Sequence, residues 1–149
     1  MAFGYRYTLE PQENGWYLVR FPGIPEALTE GEGEGDARGA ALDCIITALE
    51  GYMKAGKALP RDDTEEAGSD RVALPSLATA KLCVYEAMRA SGWSRVRLAH
   101  ELAMSENAVR RLLDLRHNSH LWVIDAALAK MDASLSIELP AKRAAPRAA

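Results

Sequence analysis

The chain is poor in the residues that staple a fold, ligate a metal or cross a membrane. Its 149 residues include two cysteines, Cys44 and Cys83. Each lies among apolar residues of a helical pattern, one in each half of the chain, so they read as reduced, buried small hydrophobes rather than as a disulfide. No cysteine pair stands at the spacing of zinc ligands. His117 and His120 share a loop without a third ligand type beside them, so no metal is expected, and no cofactor either. No apolar run approaches ~18 residues, which argues against a signal peptide or membrane span and points to a cytoplasmic protein. No Ser/His/Asp or Cys/His set suited to nucleophilic catalysis is evident. An excess of basic charge is missing as well, the formal net charge being −3.

The distribution of that charge is more informative than its sum. Residues 1–70 hold 6 Lys/Arg and 14 Asp/Glu, a net of −8. Residues 71–149 hold 12 Lys/Arg and 7 Asp/Glu, a net of +5. Such a split suggests two surfaces with different partners.

The first half opens with strands. Phe3, Tyr5, Tyr7 and Leu9 alternate with small or polar residues, the period of a half-buried strand. Pro11–Gly15 supplies a hairpin turn, with Asn14-Gly15 as its strongest signal. Trp16–Phe21 is a second strand, its aromatic and apolar residues assigned to the core in preference to a contact surface, and the prolines at 22 and 25 end it. Ala27–Thr29 fits a short third strand. The glycine-rich Gly31–Asp36 carries four acids from Glu30 to Asp36 and no Lys-Ser/Thr, so it is no phosphate cradle; it reads as the entry to a helix whose N-terminal dipole favours carboxylates. Ala37, Ala41, Cys44, Ile45, Ala48, Leu49, Tyr52 and Met53 mark one helical face, ended by Gly56. Residues 58–71 are polar and form a loop or hinge, with Val72–Leu74 returning as a closing strand. A small α+β unit results.

The second half is helical. Ser76 caps a helix whose apolar positions are Leu77, Ala80, Leu82, Val84, Ala87 and Met88 and which ends at Ser91-Gly92. Ser94 caps the next, with Val96, Leu98, Ala99 and Leu102 apolar. Ser105 caps a third, with Ala108, Val109, Leu112 and Leu113 apolar. A fourth spans Leu121–Met131, with Leu121, Ile124, Ala127, Leu128 and Met131 inward. The middle pair is written as a helix-turn-helix: a small residue, Ala99, where the helices pack, a tight turn at Ala103-Met104, and apolar anchors Val109 and Leu112. Glycine would suit position 103 better, since such turns often need positive φ. Ser105, Glu106 and Asn107 then stand at the start of the second helix, where recognition helices enter the major groove, with Arg110 and Arg111 one turn on. Arginine pairs bidentately with guanine and asparagine with adenine, and Glu106 can accept from a cytosine amine or cap the helix. Arg95 and Arg97, and after the second helix Arg116 and His117, are placed for phosphates.

Ser134–Leu139 alternates strictly and reads as a strand without a neighbour. Pairing with the same strand of a second chain through Leu135, Ile137 and Leu139 is favoured over joining the N-terminal sheet, because a helix-turn-helix reader usually works as a dimer. A homodimer or higher homo-oligomer follows. Residues 140–149 form a basic low-complexity tail, expected to be disordered.

Residues 76–131 resemble the lambda-repressor-like (Cro-like) helix-turn-helix class. The whole chain is similar to the HicB antitoxins of bacterial toxin–antitoxin pairs. The resemblance rests on Tyr5–Gly31, with Gly15-Trp-Tyr-Leu-Val-Arg-Phe-Pro-Gly-Ile-Pro25 and Thr29-Glu-Gly31 before an Ala-rich helix. It rests also on Ala80–Arg89 through Leu112–His117. It implies a partial ribonuclease-H-like domain over residues 1–70 that binds and occludes a small HicA-like mRNA-cleaving toxin. It also implies a DNA-binding and dimerisation domain over 76–139 that represses the operon at palindromic, double-stranded operator DNA. A nuclease is not expected despite that fold: Glu10 stands alone on the strands, and two-metal hydrolysis needs converging carboxylates. The acidic first half suits a basic RNA-cleaving partner. The alternative is a stand-alone transcriptional repressor whose first domain senses a ligand or another protein.

Overall fold

A computed structural model describes residues 3–62 and 70–139. The basic tail at 140–149 and the Asp63–Ser69 part of the acidic loop lie outside the described residues. The fold is α+β. The first half builds a sheet from β1 (Gly4–Pro11), β2 (Trp16–Arg20), β3 (Leu28–Glu32) and β4 (Asp70–Ala73), ordered β3-β2-β1-β4 with every neighbouring pair antiparallel. The 22-residue helix α1 (Gly33–Lys54) covers one face. The second half follows as α2 (Ser76–Ser91), α3 (Arg95–Glu101), α4 (Glu106–Leu112) and α5 (Leu121–Lys130).

Alternation explains the sheet. Phe3, Tyr5 and Tyr7 point inward and are buried, and Val19 on β2 faces α1 with them. The turn between β1 and β2 is carried by Asn14 at φ 73° and Gly15 at φ 80°, the left-handed pair that suits the right-handed twist of a hairpin. Register pairs Leu9 with Val19 and Val19 with Thr29 on the inner face, and Glu10 with Leu18 and Leu18 with Glu30 on the outer.

Two boundaries differ from the sequence reading for steric reasons. The third strand is Leu28–Glu32, not Ala27–Thr29, and Ala27 is a buried turn residue instead. Gly31 therefore belongs to the strand rather than to the helix entry. A Cβ on Gly31 would stand 2.4 Å from the Ala37 backbone nitrogen, so its glycine is what lets β3 lie against the first turn of α1. The closing strand, read at Val72–Leu74, forms at Asp70–Ala73 on the free side of β1, so the sheet of the first half runs past residue 70.

In the second half, Pro75 rather than Ser76 is the N-cap of α2, and Ser76 is the first residue of the helix. Gly92 in the left-handed region ends α2, its N–H donating to the Arg89 and Met88 carbonyls. Leu82, Val84, Leu98, Val109, Leu112, Ile124 and Leu128 fill the helical core. Val96, read as an apolar position, and Leu121, read as inward, are 60% and 42% exposed: each sits in the first turn of its helix, on the side away from that core. The Ser134–Leu139 segment, read as a strand, forms no regular element and pairs with no strand among the described residues, since an alternating pattern without a neighbouring edge has no ladder to join. Leu135 packs partly on the core, whereas Ile137 is 79% and Leu139 96% exposed. No helix of the described residues is long and apolar enough to cross a membrane.

Candidate nucleic-acid interface

The α3–α4 pair is set by its caps and its turn. The Ser94 hydroxyl accepts from the Arg97 N–H at 3.1 Å, and the Ser105 hydroxyl accepts from the Ala108 N–H at 3.1 Å. Each satisfies one orphan donor and fixes where its helix begins. Between them the chain reverses through Ala103 at φ 50°, with the Met104 N–H donating to the Ala99 carbonyl at 2.9 Å. The left-handed residue anticipated at position 103 is thus present, and it is an alanine. Leu98 and Ala99 from α3 and Val109 and Leu112 from α4 are buried and hold the helices together.

That packing leaves one polar face outward. Ser105, Glu106, Asn107, Arg110 and Arg111 are all exposed on α4, and Arg95 and Arg97 are exposed at the start of α3. Among the described residues Arg95, Arg110 and Arg111 make no ion pair. Arg97 lays its guanidinium over the Trp93 ring at 4.3 Å from the centroid, a contact that orients the cation without neutralising it.

Arg116 is placed elsewhere. Four residues beyond α4, it turns back to α1, where it donates to Asp43 Oδ1 at 2.6 Å, Thr47 Oγ1 at 2.7 Å and Glu50 Oε2 at 3.4 Å. The Asp43 hydrogen bond above all raises the pKa of this guanidinium. Of the nine residues read as DNA contacts, seven are exposed on α3, on α4 or at the α4 cap, His117 is exposed in the loop after α4, and Arg116 is held by the other half of the chain.

A residue that sequence reading missed completes the arrangement. Lys81 on α2 is fully buried. Its Nζ donates to the carbonyls of Arg111 at 3.1 Å, Asp114 at 2.6 Å and His117 at 2.6 Å. Three donors meet three acceptors, so the ammonium is satisfied although buried. It caps the C-terminal end of α4, where the helix dipole favours a cation. Burial pulls its pKa down and the Asp114 carboxylate opposes that. The signal in the sequence was a lone lysine inside Ala80–Val84, an otherwise apolar stretch.

The halves meet along a polar seam. Tyr85 Oη donates to the Lys57 carbonyl at 2.7 Å, Arg89 to the Gly56 carbonyl, and Arg61 pairs with Glu86 at 3.6 Å. An open cleft of about 360 Å³ lies along it, lined by Met53, Lys54, Tyr85, Trp93 and Arg95 among others.

No group of three or more His, Cys, Asp or Glu side chains among the described residues could hold a metal. Burial pushes both cysteine thiols up, away from the reactive thiolate. On the first half, the sheet face away from α1 exposes Trp16, 38% accessible, and Leu28, 51% accessible, beside Glu30 and Glu32. Trp16 had been assigned to the core; its position opposite Glu32 puts it on the outer face.

Residues 4–83 match the family model described as the HicB_like antitoxin of bacterial toxin–antitoxin systems. Similar full-length proteins carry the same designation. Antitoxin HicB 1 of Photorhabdus laumondii is 33% identical across 91% of this chain and 86% of its own length. Antitoxin HicB of Escherichia coli strain K12 is 28% identical across 89% and 96%, and Antitoxin HicB of Pseudomonas fluorescens strain Pf0-1 is 30% identical across 92% and 95%. All three are named as antitoxins, not as enzymes.

Proposed function

The chain belongs to the HicB-like antitoxin family of bacterial toxin–antitoxin systems, and from that premise we propose a division of labour between its halves. The sheet and α1, a partial ribonuclease-H-like unit, bind and neutralise a HicA-like mRNA-cleaving toxin. The α3–α4 pair is a helix-turn-helix that reads palindromic operator DNA and represses the chain's own operon. The two functions divide near the β4–α2 junction, with residues 76–139 as the DNA-binding and dimerisation part.

The observation that carries the DNA reading is the set of unpaired arginines on α4 and at the start of α3. A cation kept free of carboxylates on a rigid, capped element is available for phosphates and base edges. Asn107 on the first turn of α4 adds a group that can read adenine. Dimerisation is supported by Ile137 and Leu139, which expose an alternating apolar edge that the described part of one chain leaves unpaired. Pairing two such segments would present two copies of α4 about one helical turn (~34 Å) apart.

Replacing Arg110 and Arg111 together by alanine tests the reading. Operator affinity should fall by about 2–6 kcal/mol, from two contacts of roughly 1–3 kcal/mol each. Neutralisation of the co-expressed toxin should persist. Loss of neutralisation with DNA binding intact would contradict the division. Truncation after Met131 should weaken both dimerisation and operator binding; an unchanged mass by light scattering would remove the segment from the interface.

A further inference from the structure

We infer that Arg116 is a positioning residue for operator recognition, not a phosphate contact, and that it makes α1 part of the body that presents α4. The inference rests on the reading of α4 as the DNA-reading helix. Its observations are independent of that reading. The loop that follows α4 is held from two sides. From inside, the buried Lys81 ammonium ties the carbonyls of Arg111, Asp114 and His117 to α2. From outside, Arg116 ties the same loop to α1 through Asp43, Thr47 and Glu50, which lie on one stripe of that helix at spacings of four and three. The Arg116 N–H also donates to Asp114 Oδ1 at 2.9 Å, closing the turn between the two anchors.

The geometry favours positioning for a specific reason. The Arg116 and Asp43 side chains are 44% and 71% accessible, so the ion pair alone adds little to stability. What the fork supplies is direction. A planar guanidinium that meets a carboxylate, a hydroxyl and a second carboxylate on successive turns fixes the loop against α1 in one register. A recognition helix whose exit is fixed in this way reaches the groove without first losing conformational freedom. Occupied by Asp43 and Glu50, the same guanidinium is already paired, unlike those of Arg110 and Arg111.

The test uses the full chain and two probes: a duplex carrying the region upstream of the chain's own gene, and a random duplex of equal length. Positioning predicts that Arg116→Ala weakens binding to the upstream duplex by roughly two- to thirtyfold. Binding to the random duplex and the salt dependence of both stay unchanged. It also predicts that the Asp43→Asn, Glu50→Gln double variant, which keeps Arg116 and only frees it, weakens binding in the same way. Combining the two changes should add almost nothing. Arg116→Lys should resemble Arg116→Ala, since a lysine keeps the charge but not the fork.

A phosphate contact predicts the opposite pattern. Freeing Arg116 would tighten binding, Arg116→Lys would retain it, and Arg116→Ala would lower the slope of log affinity against log salt by about 0.9 while weakening both duplexes alike. Any of these results overturns the inference, as does an Arg116→Ala chain that binds normally. Failure of the underlying reading looks different: there the Arg110→Ala, Arg111→Ala chain would bind the upstream duplex as the parent does.

Discussion

The sheet half and the α3–α4 pair treat their arginines in opposite ways. In the first half Arg20 meets Glu10 at 3.1 Å, and Arg38 meets Asp70 at 2.9 Å, Glu34 at 3.1 Å and the Tyr7 hydroxyl at 3.1 Å. Arg71 donates to the Asp62 carbonyl at 2.7 Å. These cations tie strands, helix and loop to one another. On α3 and α4 Arg95, Arg110 and Arg111 make no ion pair among the described residues. Among the described residues of the second half the one fully buried cation, Lys81, is turned inward to fix the element that displays them. Arginines that are satisfied internally stabilise a surface whose remaining charge is acidic. Arginines left unsatisfied are available to a polyanion. The net charges of the halves differ in sign, and under the proposed division of labour the pairing pattern marks which residues each partner would meet.

If the first half depends on close backbone approach and the second on a buried charge, each should fail in its own way. The largest effect is expected from Gly31→Ala. The added Cβ would fall within 2.8 Å of three backbone atoms of Asp36 and Ala37, none of which can rotate away. A cost of about 3 kcal/mol is expected, at the upper end for overpacking, read by thermal denaturation, with toxin binding impaired before operator binding. A melting temperature equal to the parent's would show that β3 and α1 separate easily. Lys81→Met keeps the side-chain volume but removes the donor shared by three carbonyls: those of Arg111 and Asp114 keep a backbone N–H, and that of His117 loses its partner. About 1–3 kcal/mol should be lost, with operator affinity falling along with stability. Retained stability would mean that those carbonyls find water.

These two residues also mark where the sequence was legible. Periodicity located the four helices of the second half and two of the three serine caps, Ser94 and Ser105 but not Ser76, because helix signals are local. It found the β1–β2 hairpin for the same reason. It misplaced β3, because the contact that makes Gly31 a strand residue comes from the start of α1, and no window along the strand contains it. It left Lys81 unremarked, because the three acceptors lie 30 to 36 positions away. It assigned Arg116 to phosphate by its distance from α4, whereas Asp43, 73 positions earlier, claims the side chain. The exposed row on α4 was legible because helical geometry alone fixes which residues share a face. What was lost in each case is a long-range polar or steric contact.

The first half carries an alkaline signature at Tyr5. Tyr5 is buried under the sheet and its pKa is pushed up to about 12 from 10.0 by that burial, the Arg61 charge opposing it. Its hydroxyl donates to the Pro60 carbonyl at 3.0 Å. Between about pH 10 and 12 the folded chain holds a proton that the unfolded chain has released, so stability falls as pH rises through that window and is complete below it. Tyr5→Phe should cost about 1 kcal/mol at neutral pH, where it only removes the hydrogen bond. Its stability should then decline less steeply above pH 10. Denaturant melts of the two proteins at paired pH values isolate Tyr5, since other groups cancel in the difference. Parallel curves would mean that the Tyr5 hydroxyl titrates as freely in the fold as outside it.

The smallest effect is a gain, and it belongs to the second half. Ala103 holds φ 50° in the turn between α3 and α4, a conformation that disfavours any side chain with a Cβ. The turn persists because its Met104 N–H is bonded to Ala99 and because the buried residues on either side leave α4 no other direction. Glycine at 103 would remove the strain at the cost of a freer unfolded chain. The balance should stabilise the protein by about 0.5–1 kcal/mol, or roughly 1–4 °C in melting temperature. Operator affinity should not change, since the turn keeps its shape. If Ala103→Gly instead weakens operator binding without stabilising the fold, then the Ala103 methyl helps to hold the angle of α4, and the strained alanine is part of how the helix is presented.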